Sequence, residues 1–372
     1  MKKKYILPVL FTGAIAIMAL LTFFGPHRTY SENEKRVLAE SPKLSWQNIM
    51  SGQFQDEIET YISDHLVGRE FFVGVSAYFD RLLGKNSLND IYAADGGYLI
   101  NAPKEDKNDN FAVNISNFQK FSSQCGIKST LMIVPSAGYI MNDRLPAFHK
   151  KYNDSALFEK ANELSPGINF FDGRSTLYEE YSKGTEVYYH TDHHLTSEGS
   201  YALYTGYCRF ANLDFPLKEE YDIEKYDGFY GTTYSGSGYW LNDPDVLEIW
   251  DLGLDVTVTH QEKADKTSDT MFFKEHLDKM DMYPVFLDGN HSYVKISNPH
   301  AKKGNLLLIR DSFAQNMAPF LAYNYKNIHM LDMRYYRSSV TELIDENDID
   351  EILYLYGIDT LITDKSSNWL FF

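Results

Sequence analysis

From residue 110 onward, short apolar runs alternate with stretches of helical spacing, and this alternation restricts the fold more than any other feature of the 372 residues. "NFAVNISNFQKFSSQCG" predicts a helix ending at Gly126, "KSTLMIVPS" a buried strand stopped at Pro135, and "GINFFDG" another short strand. "TSEGSYALYTGYCRFAN" predicts a helix with Thr196 as its N-cap. Then come "NLLLIRDSF" (strand into turn), "AQNMAPFLAYNY" (helix), "NIHMLDM" (strand), "SSVTELIDEND" (helix) and "DEILYLYG" (strand). Strands this short and this uniformly apolar fit a parallel sheet covered on both faces. The expected class is α/β, a doubly wound parallel sheet with helices on both sides. In such sheets ligands bind beyond the carboxyl ends of the strands.

The chain begins with Lys2, Lys3 and Lys4, followed by uncharged, mostly apolar residues from Tyr5 to Phe24. About 20 such residues span a bilayer, and the lysines favour a cytoplasmic N-terminus. A cleaved signal peptide has a shorter apolar core ending in small residues, whereas this run ends in "LLTFFGPH". We therefore expect an uncleaved signal anchor within residues 1–28 and everything after it outside the cytoplasm, at the cell surface. Residues 29–100 are expected to form a stalk and a helical segment. Within them, Ser31 and Glu34 have capping-box spacing, 54–84 reads as helical with a soft point at Gly68, and Asp95-Gly96-Gly97 is a hairpin signal. Asp64 or His65 with Arg69 reads as an ordinary surface pairing. The α/β domain then covers 101–372, with an insertion at about 213–300. The tyrosines of that insertion either line a saccharide groove or reflect the aromatic richness of the whole chain.

A formal charge of −17 argues against nucleic acid or anionic lipid as the main ligand. The two cysteines, Cys125 and Cys208, either pair or serve as small buried hydrophobes, and they do not make a zinc site.

Two stretches carry chemistry. In "LLLIRDSFAQNM" a strand, Leu306 to Ile309, runs through Arg310 and Asp311 into Ser312, and Phe313, Met317, Phe320 and Leu321 follow at helical spacing. Ser312 thus stands at a strand-to-helix turn, where free backbone N–H groups can receive an oxyanion. Its weakly nucleophilic hydroxyl needs a base. "VYYHTDHHLTSEGS" supplies one: in an extended loop Asp192 and His194 point the same way, so the carboxylate can orient the imidazole, while His193 faces away. A metal site built from His190, Asp192 and His194 is the rival, but it leaves the Ser312 turn unexplained. Asp311 reads as a turn-former, and Arg334, Tyr335 and Tyr336 stand at another carboxyl strand end, as substrate contacts or as packing and ion-pair residues.

These two stretches, with "SENEKRVLAESP", "SDHLVGRE" and "YAADGGYLI", resemble the DHHW family of bacterial surface proteins, itself similar to the alginate O-acetylation proteins of the SGNH-hydrolase superfamily. The resemblance implies an SGNH-like, circularly permuted fold and a triad of Asp192, His194 and Ser312. It also implies O-acetyl transfer, or deacetylation, on a surface or exported polysaccharide. No metal or organic cofactor is implied, and a multi-spanning membrane acyltransferase would supply the acetyl group. The superfamily's Gly and Asn oxyanion donors find their nearest counterparts in Gly289 and Asn290. Two positions depart from the pattern: Leu195 stands where the family has Trp, and Arg310 where classical SGNH enzymes have Gly. The first removes any aromatic stacking on a sugar; the second narrows the oxyanion hole or adds a cation near it. The competing reading is a non-catalytic glycan-binding or assembly protein with the same fold.

Overall fold

The computed structural model describes residues 5–261 and 266–371, so Lys2, Lys3 and Lys4, on which the orientation argument rests, lie outside the described residues. The chain divides into two compact units. One holds the described residues up to Asn89 together with Tyr234–Asn242; the other holds Asp90–Thr233 and the described residues from Asp243 onward.

In the first unit, helix α1 (Ile6–Phe24) is apolar, exposed over almost its whole length, and long enough by composition to cross a membrane. Helices α2 (Gln53–His65) and α3 (Arg69–Leu82) replace the single run expected over 54–84, because Gly68 adopts a left-handed conformation (φ 73°) between them. No helix starts at Ser31. Its hydroxyl accepts from the Glu34 amide (3.2 Å), Lys35 turns left-handed, and Tyr30–Ser31 pairs antiparallel with Arg36–Val37. Asp64 is not a surface partner of Arg69 either. It is buried and bidentate to Arg36 at 2.9 and 2.5 Å, while Arg69 pairs with Glu34.

The second unit is built on one large sheet. Its strands in chain order are β1 (Lys128–Val134), β2 (Asn169–Asp172), β3 (Thr257–His260), β4 (Lys266–Ser268), β5 (Tyr293–Ser297), β6 (Lys303–Arg310), β7 (Tyr325–Leu331) and β8 (Glu351–Gly357), arranged β4-β3-β5-β7-β6-β8-β1-β2. The five strands from β7 to β2 are mutually parallel. The other three join antiparallel, so the sheet is mixed, and the stretch read as an insertion supplies all three.

Alternate side chains of the central strands feed two apolar layers. Met132, Leu306, Leu308, Leu353 and Leu355 meet helices α4 (Ser197–Ala211) and α5 (Phe313–Leu321). Leu131, Ile133, Leu307, Ile309 and Tyr354 meet the helices Asn110–Cys125, Val340–Glu346 and Ile358–Thr363 on the other face. Burial on both faces is why these strands read as continuous apolar runs. Both cysteines are free thiols, in separate layers.

Candidate active site

Residues Tyr188 to Leu195 form a loop closed on itself. Tyr188 and Leu195 bridge antiparallel, the Tyr189 amide donates to His194 O (3.3 Å), and the Thr196 amide donates to Val187 O (3.1 Å). Thr196 then caps α4 through the Gly199 amide (3.0 Å). The buried Asp245 carboxylate fastens the loop from outside, accepting from the amides of His190 (2.7 Å) and Thr191 (2.8 Å) and from the Thr191 hydroxyl (2.5 Å).

Within this loop Asp192 is buried and its carboxylate is fully engaged. Oδ1 accepts from the amide of His194 (2.9 Å) and lies 2.5 Å from its Nδ1; Oδ2 accepts from the Thr232 amide (2.6 Å) and hydroxyl (2.9 Å). The far nitrogen of the imidazole, Nε2, is 2.7 Å from Ser312 Oγ. Asp192, His194 and Ser312 thus form one hydrogen-bonded chain, its second link joining residues 118 positions apart in sequence. The Tyr283 ring stacks flat on His194 (4.0 Å between centroids, 10° between planes), and Phe313 meets it edge-on. Such contacts hold the imidazole plane in line with both partners.

Ser312 follows the end of β6 and opens α5. Asp311 fixes the turn, its carboxylate accepting from the amides of Phe313 (3.0 Å) and Gly357 (2.8 Å), the latter at the carboxyl end of β8. Burial raises the Asp311 carboxyl above its ordinary range, opposed by those hydrogen bonds. The Ser312 amide carries no hydrogen bond among the described residues, as an oxyanion donor at a helix N-terminus would require.

The other singled-out residues fall differently. Arg310 is 1% exposed, and its guanidinium donates to Asn290 Oδ1 (2.7 Å) and His291 O (3.3 Å) and pairs with Asp332 (3.5 Å). Burial lowers its pKa below the arginine norm, opposed by Asp332. It has no surface left for a substrate, which corrects the expectation of a cation at the oxyanion. Arg334 is bidentate to the same Asp332 (2.9 and 2.6 Å), which raises its pKa. Gly289 is buried, whereas Asn290 is exposed and its side-chain oxygen also accepts from Gln315 (3.1 Å) in the first turn of α5. Leu195 is 3% exposed in the core and offers no platform to a sugar.

Two expectations about the histidines change. His190 does not converge on Asp192; it stacks on Tyr98 (3.8 Å) and pairs with Asp245 (3.1 Å). His193 does not face away. Its ring lies 3.9 Å from that of His194, and its Nδ1 is 2.7 Å from the Thr232 hydroxyl.

A cleft of about 330 Å³ adjoins the chain, lined by Asp192, His193 and Phe313, by Val134, Pro135 and Gly357 at strand carboxyl ends, and by Asp359 and Lys104. This is where ligands bind in open α/β sheets. Asp359 is a residue that reading the sequence missed. Burial first, then repulsion from Asp154 and Asp311, pushes its carboxyl up from 3.8 to about 6, with Lys104 opposing. Above pH 6 the folded state bears a charge that the unfolded chain holds at no cost; below about pH 4 both states are protonated and the difference vanishes. Asp359→Asn is therefore expected to stabilise the protein by up to about 3 kcal/mol at pH 7.5, a gain fading toward pH 4, measured by denaturant unfolding at both pH values.

Fold and hydrogen-bonded chain together define a class: a mixed α/β protein with a Ser–His–Asp array at the carboxyl edge of its parallel strands. The family of DHHW proteins matches residues 87–331, and the chain belongs to it. Among solved structures, a DHHW family protein from Eubacterium siraeum DSM 15702 is similar over 76% of this chain and 95% of its own, at 22% identity and a TM-score of 0.65. Bacillus cereus PatB1, solved with a sulfonyl adduct, is similar over 74% of this chain and 97% of its own, at 17% identity and a TM-score of 0.62. The O-acetyltransferase domain of Pseudomonas putida AlgJ is a looser likeness, over 74% of this chain and 92% of its own, at 12% identity and a TM-score of 0.46. No curated protein sequence matches the chain.

Proposed function

We propose that this protein is an acyl-ester enzyme anchored by α1 with its bulk outside the cytoplasm, moving acetyl groups to or from hydroxyls of a cell-surface or exported polysaccharide. The observation that carries the proposal is the continuous Asp192–His194–Ser312 chain, at 2.5 and 2.7 Å. Ser312 Oγ attacks the acyl carbonyl while His194 Nε2 takes its proton, and Asp192 holds the tautomer with Nδ1 protonated and stabilises the imidazolium. The Ser312 amide steadies the oxyanion, with Asn290 as the side-chain candidate to join it. His194 returns the proton to the leaving group, and an acetyl ester remains on Ser312. A sugar hydroxyl, deprotonated in turn by His194, then takes the acetyl group, or water does.

Acetyl-CoA is a cytoplasmic donor, so transfer outside the cell needs a membrane partner that exports the acetyl group; a multi-spanning acyltransferase fits that need. The order Asp192, His194, Ser312 along the chain reads as a circularly permuted, doubly wound SGNH arrangement. The test is whether the detergent-extracted full chain hydrolyses p-nitrophenyl acetate and passes acetyl groups to an oligosaccharide acceptor. Acetylated acceptor supports transfer; hydrolysis alone supports an esterase. Neither reaction, with the protein folded, favours a glycan-binding protein.

A further inference from the structure

A second group of imidazoles takes no part in the Ser312 chain. His260, the last residue of β3, is 1% exposed, and its Nε2 lies 3.1 Å from Leu287 O. That contact makes Nε2 the protonated nitrogen and leaves a lone pair on Nδ1, which has no partner among the described residues. A buried polar atom without a partner is rare and calls for an explanation. One ligand atom from each of His260, Asp288 and His291 lies within 4.8 Å of the others, and the rings of His260 and His291 are 4.3 Å apart. A third imidazole, His276, orients the carboxylate, with its Nε2 2.6 Å from Asp288 Oδ1. The backbone is shaped to bring Asp288 there: Leu287, Asp288 and Gly289 are left-handed in succession (φ 59°, 59° and 86°), a conformation two non-glycine residues rarely adopt side by side.

We propose that His260, Asp288 and His291 bind one divalent transition-metal ion of the zinc class, with His276 holding the carboxylate in place. Imidazole and carboxylate donors suit zinc and its neighbours rather than calcium or magnesium. Tetrahedral ligand atoms at zinc lie roughly 3.4 Å apart, so side-chain shifts of about 1 Å close the site. Lys266 Nζ, 3.3 Å from Asp288 Oδ2, is a cation that opposes the ion, and its exposed stem lets it withdraw. The same loop presents Asn290 Oδ1 and His291 O to Arg310, two residues before Ser312, so the ion fixes the loop that braces the end of β6. This role is structural and does not depend on the acyl chemistry.

The experiment strips the full-length protein with chelator, titrates it with zinc by calorimetry, and repeats the titration with cobalt to read its visible absorption. The proposal predicts one tightly held equivalent of zinc and a cobalt spectrum of four-coordinate nitrogen–oxygen type. His260→Ala and the less buried His291→Ala both lose the equivalent while circular dichroism stays native. His194→Ala keeps it. Absence of stoichiometric binding by the wild type overturns the proposal. So does an equivalent that survives both His260→Ala and His291→Ala in folded protein, which marks an adventitious ion, or one lost in His194→Ala, which places the ion on the Asp192–His193–His194 cluster.

Discussion

Ser312→Ala is expected to lower the turnover of p-nitrophenyl acetate by about four decades or more, to a small residual rate, and to leave the fold intact. The size follows from the role. Loss of any member of a Ser–His–Asp unit leaves only binding and oxyanion stabilisation. The hydroxyl is half-buried at a helix start, and among the described residues the hydrogen bond it gives up is a single one to His194 Nε2. Stability should move by about 1 kcal/mol or less, the worth of one such bond, so unchanged circular dichroism and an unfolding midpoint near that of the wild type separate lost chemistry from lost structure. A folded Ser312→Ala variant with wild-type turnover would remove Ser312 from the chemistry altogether.

Gly231→Ala is expected to cost about two decades in kcat with a far smaller change in KM. The Gly231 amide donates to the Thr191 hydroxyl (3.1 Å), and its α-carbon faces Asp192 so closely that an added methyl would sit well inside contact distance of Asp192 Cβ, Oδ2 and Cα. Asp192 cannot retreat without giving up Thr232, His194 or both. A shift of about 1 Å in a catalytic group is worth roughly 10²-fold, and overpacking adds about 1–3 kcal/mol of instability. Steady-state kinetics and thermal unfolding read the two effects separately. Asp192→Asn, which keeps the volume and fails to hold the tautomer, should cost about 10⁴-fold. The ratio between the two variants then reports how far the carboxylate has moved. A Gly231→Ala variant with unchanged kcat would show that the position of Asp192 does not matter.

The core of this site could be read from the chain because its signals are local. Ser312 sits where an apolar strand gives way to helical spacing, and Asp192 and His194 are two positions apart on one loop. What escaped is carried by contacts distant in sequence. Tyr283 lies 89 positions from the His194 it stacks on, Asp245 is 55 positions from the His190 amide it holds, and Thr232 is 40 from Asp192. None sits in a pattern that a period or a spacing rule can detect. The stretch 213–300 reads as an insertion of strands and loops, and what escaped is where three of its strands go. Strands β3, β4 and β5 are short and carry polar residues such as Thr257, Lys266 and Lys295, and only the antiparallel pairing of β5 with β7, of β3 with β5 and of β4 with β3 joins them to the large sheet. At Ser31 a capping-box spacing met a left-handed Lys35, and a two-residue antiparallel pair replaced the helix. Arg310 illustrates the opposite error: its position beside Asp311-Ser312 suggested the oxyanion, and only the buried Asp332 and the Asn290 loop reveal a bracing role.

The central claim is that Ser312 is the nucleophile, and covalent capture tests it most directly. The detergent-extracted full chain is treated with a sulfonyl fluoride, digested, and mapped by mass spectrometry beside the Asp192→Asn variant. The account predicts a single sulfonyl adduct on the peptide carrying Arg310-Asp311-Ser312, formed rapidly by the wild type, far more slowly by Asp192→Asn, and accompanied by loss of esterase turnover. An adduct on another residue, or Ser312 left unmodified while turnover persists, would contradict it.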